Sequence, residues 1–164
     1  WYPGTAVVLR VFATGIIWVV DAVDLRSDSS PAKLAQWLAK YPNSLLIDPC
    51  SGRYNKEGGR SGQRVLRKSG FRVTHASKRY PNVRDTVHAV LARLKNANGE
   101  VSLFIDPSLK SLRQALRTQA WNGEHPDKDV EGVRLLNALR IAIYRLFKPE
   151  DLSDKYKDLD RSEA

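Results

Sequence analysis

Hydrophobic residues recur along this chain with two different periods, and the switches between them divide it into elements. Thr5 to Phe12 and Ile16 to Val23 are dense in β-branched and aromatic residues. Ala13-Thr14-Gly15 separates them, which predicts a β-hairpin turned by glycine. Ser30-Pro31 opens a helix, with serine as N-cap and proline at the first helical position. Leu34, Trp37 and Leu38 share one face of it, and Tyr41-Pro42 ends it. Ser44 to Asp48 reads as a short buried strand ending in an acid, followed by a Gly- and Arg-rich loop from Pro49 to Gly59. Gly62 to Ser69 is a helix stopped by Gly70, and Phe71 to His75 is the next strand.

Asn82 caps a helix that carries Val83, Val87, Val90, Leu91 and Leu94 at helical spacing. Asn98-Gly99 turns the chain into a strand from Val101 to Asp106. Leu109, Leu112 and Leu116 mark a further helix, and an amphipathic helix from Val130 to Phe147 ends at Lys148-Pro149. A hairpin followed by strands alternating with helices predicts an α/β fold, with a mixed sheet, the antiparallel pair at one side and helices on its faces. The expected domain spans residues 1–149, and 150–164 reads as a charged, flexible tail.

Composition adds two facts. At 164 residues the chain suits one domain with a real core. The single cysteine, Cys50, excludes an intrachain disulfide and a thiolate zinc cluster, which fits a reducing, cytosolic compartment. No apolar run approaches the roughly 20 residues of a membrane span. The chain opens on Trp1 and contains no Met, so its start is expected to be a boundary cut into a longer protein.

Charge is more informative. Arg53, Lys56, Arg60, Arg64, Arg67, Lys68, Arg72, Lys78, Arg79 and Arg84 fall in about a fifth of the chain with one acid, Glu57, among them. The remainder holds 17 basic and 17 acidic residues, so this window carries the whole net charge of +9. A confined excess of this kind suggests a surface for a polyanion, with a merely solvated basic face as the alternative.

Asp48 and Asp106 each close a predicted strand and precede a proline. Ligands of open α/β sheets bind at such strand ends. A carboxylate at Asp48, beside a basic glycine-rich loop, could hold a hard cation while the loop holds phosphate; equally, Asp48-Pro49 could simply begin a turn. Gly58-Gly59-Arg60-Ser61-Gly62 lacks the Gly-Lys-Ser/Thr of a P-loop. His75, His88 and His125 have no metal-ligand spacing, and Trp37 and Trp121 read as packing residues.

The runs Asp48-Pro49-Cys50-Ser51-Gly52, Gly62 to Phe71, Asn82 to Leu94, Asn96-Ala97-Asn98-Gly99-Glu100 and Leu103-Phe104-Ile105-Asp106-Pro107 follow one another in an order and spacing that resembles the nuclease domain of bacteriophage terminase large subunits. Leu109-Lys110-Ser111-Leu112 and Trp121-Asn122-Gly123 continue it, so the resemblance covers roughly Thr5 to Phe147. It implies a ribonuclease H-like mixed sheet flanked by helices, Mg2+ or Mn2+ as cofactors, and two-ion cleavage of duplex DNA during genome packaging in the host cell cytoplasm. It also implies a terminase small subunit, a portal protein and an ATPase domain as partners, and no membrane.

By resemblance Asp48 matches the second acid of the family's site, as catalytic residue and metal ligand. The first strand, with the first acid, is expected before Trp1 and so is missing. In the last helix the family's acidic and histidine positions are Val133, Arg134 and Asn137. An amide at Asn137 cannot replace a carboxylate on a hard cation, and Arg134 would repel one. Asp129 or Glu131 could substitute as a ligand only if the helix start is irregular. The expectation is a DNA-binding surface on Arg53, Lys56, Arg60, Arg64, Arg67, Lys68, Lys78, Arg79 and Arg84 in a chain that does not cut as it stands. A non-catalytic DNA-binding remnant of a decayed prophage, or another ribonuclease H-like nuclease or resolvase, are the alternatives.

Overall fold

In the computed structural model, the described residues are 4–25, 30–48, 62–75, 82–119, 121–122, 125–126 and 132–147. They form seven strands and five helices in the order β1 (Thr5–Val11), β2 (Ile17–Asp24), α1 (Pro31–Leu38), β3 (Leu45–Asp48), α2 (Gly62–Lys68), β4 (Arg72–His75), α3 (Val83–Leu94), β5 (Leu103–Ile105), α4 (Lys110–Thr118), β6 (Trp121–Asn122), β7 (His125–Pro126) and α5 (Val133–Leu146). The hairpin, the helices and strands β3 to β5 occur where the hydrophobic periods place them. The short β6–β7 hairpin has no counterpart in those periods.

Among the described residues the strands lie in three separate ladders. β1 pairs antiparallel with β2, and β2 pairs parallel with β5, giving a small mixed sheet in the order β1-β2-β5. β3 and β4 form a separate parallel pair. The expected α/β fold with a mixed sheet and the antiparallel pair at one side is present, while β3 and β4 stand apart from that sheet rather than within it. Periodicity identifies strands, but it contains no information on which edges meet.

The β1–β2 turn is built as the sequence suggests. Gly15 takes φ +81°, and Phe12 exchanges backbone hydrogen bonds with Ile16 and Gly15 at 2.9 Å each. Glycine enters this left-handed conformation without steric cost. Further along, the register shifts: Leu9 lies opposite Val19 but Val8 lies opposite Asp21, so Val20 is an extra residue in a β-bulge. Strict alternation would send Asp21 to the same face as the fully buried Ile17 and Val19. The bulge instead turns Asp21 to the opposite face and restores Ala22, opposite Val7, to the core side.

That core lies between the β1-β2-β5 sheet and three helices. Ile17, Val19 and Leu103 meet Val90 of α3, Leu112 and Ala115 of α4, and Leu135, Leu136, Leu139 and Ile143 of α5. α5 packs against α3 and α4 and also against β1 and β2. Of its residues Leu139 and Ile143 have no solvent exposure. Full burial of such side chains contributes about 1.5–3 kcal/mol each. On the other side, Leu34, Ala35 and Leu38 of α1 are buried. Ser30 caps this helix by accepting from the Lys33 backbone N–H at 3.2 Å, as the Ser-Pro signal predicts.

α5 begins later than the Val130 expected from the sequence because Gly132 stands at its N-cap with φ +78°. A Cβ there would overlap the Ser111 backbone carbonyl of α4 and come within 3.2 Å of the Ala115 Cβ. Both the conformation and the close approach of α4 to α5 demand glycine. Gly132→Ala should therefore destabilise the fold by about 1–3 kcal/mol, measured as a lower urea midpoint with an unchanged slope.

Candidate functional site

An apolar groove of about 420 Å³ runs beside β1. Residues of β1 form one wall, Ser44 to Ile47 form the other, and α5 contributes Arg134, Asn137, Ala138, Ile141 and Ala142. Gln63 and Leu66 of α2 close it on the β3–β4 side. The groove thus brings together the strand that ends in Asp48 and the helix that carries Asn137, two positions far apart in sequence that the resemblance assigns to one site. Asp48 is the last residue of β3, with His75 as its register partner on β4, so both stand at the carboxyl ends of parallel strands. Their side chains lie outside the described residues.

The polar groups on α5 are engaged. The Arg134 guanidinium lies 3.8 Å from Asp24 Oδ1, and that carboxylate also accepts from the Thr5 hydroxyl at 3.2 Å. Asn137 Oδ1 accepts from the Arg140 guanidinium, one helical turn further on. The positions where the resemblance expects two acids and a histidine therefore carry Val133, Asn137 and Arg134, and the amide and the cation each have a partner of their own. Among the described residues no group of three or more His, Cys, Asp or Glu side chains is arranged to hold a metal ion. The Mg2+ or Mn2+ implied by the resemblance does not fit the α5 side of the groove, because a guanidinium repels a divalent cation.

Asp129 and Glu131, the proposed substitutes, lie outside the described residues. So do Arg53, Lys56, Arg60, Lys78 and Arg79 of the basic stretch.

The basic residues that remain are Arg64, Arg67 and Lys68 on α2, Arg72 on β4 and Arg84 on α3, all exposed. Arg64 and Lys68 are one turn apart on the helix. Arg67 reaches the Val73 carbonyl on β4 at 3.4 Å, which anchors the helix to that strand while the chain continues into Arg72. α2 buries no residue and presents no acid. Arg84 sits in the first turn of α3, which packs on α5 and β5 rather than on α2. The continuous part of the basic surface is therefore α2 with β4, beside the groove.

One polar cluster leaves no trace in the sequence pattern. Lys40 Nζ and Tyr41 Oη both donate to Asp21 Oδ2 at 2.6 Å, and the Ala22 backbone N–H donates to Oδ1 at 2.7 Å. The Lys40 ammonium also lies 4.2 Å from the centre of the Trp37 ring, a cation–π contact. Trp37 thus packs, as expected, but around a charge. Burial alone would push the Asp21 carboxyl up; the three donors and the Lys40 charge outweigh it and hold its pKa below the ordinary 3.8. Burial, and then the bond to Asp21, pushes Tyr41 up to about 12. Only the bulge at Val20 makes this cluster possible, and a bulge is invisible to hydrophobic periodicity.

Asp106, the other strand-end acid, takes the simpler of its two roles. Its carboxylate accepts from the Ser108 hydroxyl at 2.6 Å and the Ser108 backbone N–H at 2.9 Å, which turns the chain toward α4. These bonds hold its pKa below the usual value, against the opposing effects of desolvation and then of the nearby Asp21 charge.

Comparison of the chain with protein-family models, with curated proteins and with solved structures finds no match in any of the three. No helix among the described residues is long and apolar enough to cross a membrane.

The Asp21 cluster gives a pH prediction. A carboxylate whose folded pKa is depressed contributes stability that is complete above its unfolded value near 3.8 and is lost as pH falls through the folded value. Tyr41→Phe removes one donor, so Asp21 should titrate at higher pH in the variant, read from its carboxyl carbon by NMR. The stability difference between the two proteins should vanish at acid pH once Asp21 is protonated in both.

Proposed function

We propose that this chain is a nuclease-type domain of the terminase large-subunit kind, ribonuclease H-like in its sheet, which holds duplex DNA on the α2–β4 basic surface and, in this form, does not cut it. The observation that carries the reading is the groove. Its lining includes Ser44 to Ile47, the stretch that precedes Asp48, and Asn137 of α5, and the basic helix α2 forms its border. An antiparallel hairpin on one side of that groove and a parallel pair on the other are compatible with a ribonuclease H-like arrangement. Arg134 and Asn137 favour the non-cutting form, since they remove negative charge from the place where two divalent ions would need it.

Binding of this kind is carried by phosphate contacts and is nearly blind to sequence. Affinity for a random duplex should fall steeply between low and moderate salt. The pair Arg64→Glu with Arg67→Glu should flatten the slope of log affinity against log salt by roughly 2 units, about 0.9 for each phosphate no longer neutralised. Fluorescence anisotropy over a salt series checks this, and an affinity that is flat in salt for the unaltered chain would refute it.

Incubation with supercoiled plasmid and manganese should leave the plasmid unnicked, and manganese should not raise the melting temperature, since a site that binds no ion gains nothing by mass action. Robust nicking that Asp48→Ala abolishes would show that residues outside α5 complete a working metal site.

A further inference from the structure

The face of the β1-β2-β5 sheet turned away from the core carries aromatic rings open to solvent. Along β2, Ile17 and Val19 have no solvent exposure while Trp18 between them is 44% exposed, and on β5 Phe104 is 44% exposed beside the buried Leu103. Trp18 is the register partner of Phe104 on one side and of Arg10 on the other, so Arg10, Trp18 and Phe104 form one row across the three strands. Strand alternation carries the same face on to Phe12 and Ile16, which share a backbone hydrogen bond at the hairpin end and are both exposed. The solvent side of a sheet with one buried face ordinarily reads polar. A contiguous exposed apolar patch marks a contact surface.

The make-up of the patch selects its occupant. Phe12, Trp18 and Phe104 are flat rings, and Arg10 stands in their midst as an exposed cation. Rings on neighbouring strands, about 4.8 Å apart, are placed to take one unpaired base each, while an adjacent guanidinium neutralises a phosphate. Bases stacked inside a duplex have no free face to offer. The acids further along, Asp21 and Asp106, are already engaged, the first by Lys40 and Tyr41 of the α1 end and the second by Ser108. A second copy would bring another chain of net charge +9 against this one, whereas a polyanion is attracted by the same charge. We propose that this face is a platform for single-stranded nucleic acid, with bases stacked on Trp18 and Phe104, Phe12 extending the platform to the hairpin end, and Arg10 on the backbone of the strand. It uses no residue of α2 or β4, so it is a site additional to the duplex surface proposed above.

The test is fluorescence anisotropy of the full chain with an end-labelled oligothymidylate of about ten nucleotides, within the range of single-strand sites. Trp18→Ala and Phe104→Ala should each weaken binding about tenfold, because each removes one stacked base. Trp18→Phe, which keeps a ring, should retain most of the affinity. Arg10→Gln should flatten the slope of log affinity against log salt by about 0.7, the share of one phosphate on a single strand. Affinity for a random duplex should be unchanged in both alanine variants, which also shows that they are folded. The tenfold loss should persist in the Arg64→Glu, Arg67→Glu background, so that either surface can fail without the other. Absence of oligothymidylate binding by the unaltered chain, or equal binding by the unaltered chain and the double alanine variant, overturns the proposal. A dimer in sedimentation that Trp18→Ala dissociates overturns it too, by giving the face to a second copy of the chain.

Discussion

The packing of α5 is the constraint on which the rest of this structure depends. Leu135, Leu136, Leu139 and Ile143 point into the core made by β1, β2, α3 and α4. This burial fixes the rotation of the helix about its own axis, because a turn of 3.6 residues leaves no freedom once one face is committed. With that phase set, Arg134, Asn137, Ala138, Ile141 and Ala142 must face the groove. The chemistry available at the candidate site therefore follows from core packing, and no local adjustment could exchange Asn137 for a neighbouring carboxylate. The close approach at Gly132 fixes the axial position of the same helix against α4.

A second decision is made by one extra residue. The bulge at Val20 turns Asp21 from the core face of the sheet to the α1 face. Lys40, Tyr41 and the Ala22 N–H then satisfy its carboxylate, at a cost in desolvation that these bonds exceed. Without the bulge, an unpaired carboxylate would stand beside Ile17 and Val19, a penalty of several kcal/mol. The same cluster ties the end of α1 to the sheet, so that Leu34 and Leu38 can line the groove.

Much of the fold was legible in the sequence, and the reasons are particular. Ser30-Pro31, Gly15 and Asn82 act through local geometry, so their signals lead directly to a capped helix, a hairpin turn and a second capped helix. The pairing of strands was not legible, since β3 and β4 read as members of one sheet with the hairpin yet stand apart from it. Neither was the Asp21 cluster, which depends on a bulge, nor the division of labour between the two strand-end acids. Asp106 is engaged by Ser108, two residues away, whereas Asp48 ends a strand that lines the groove. The basic window was visible as a charge excess, but only α2 and β4 give it a continuous described surface.

The groove's polar members bear on what it can bind. Arg134 faces the Asp24 carboxylate, and Asn137 faces the Arg140 guanidinium. Pairing of this kind cancels field locally, so the α5 wall offers a divalent cation no excess of negative charge, and it offers phosphate a guanidinium already shared with a carboxylate. What the wall does offer is mainly apolar surface, from Ala138, Ile141 and Ala142. Arg64, Arg67 and Lys68 are exposed on α2, whereas Gln63 and Leu66 of the same helix line the groove. A helix too short to stand alone in water gains its place by packing, and α2 does so against α1 and β4.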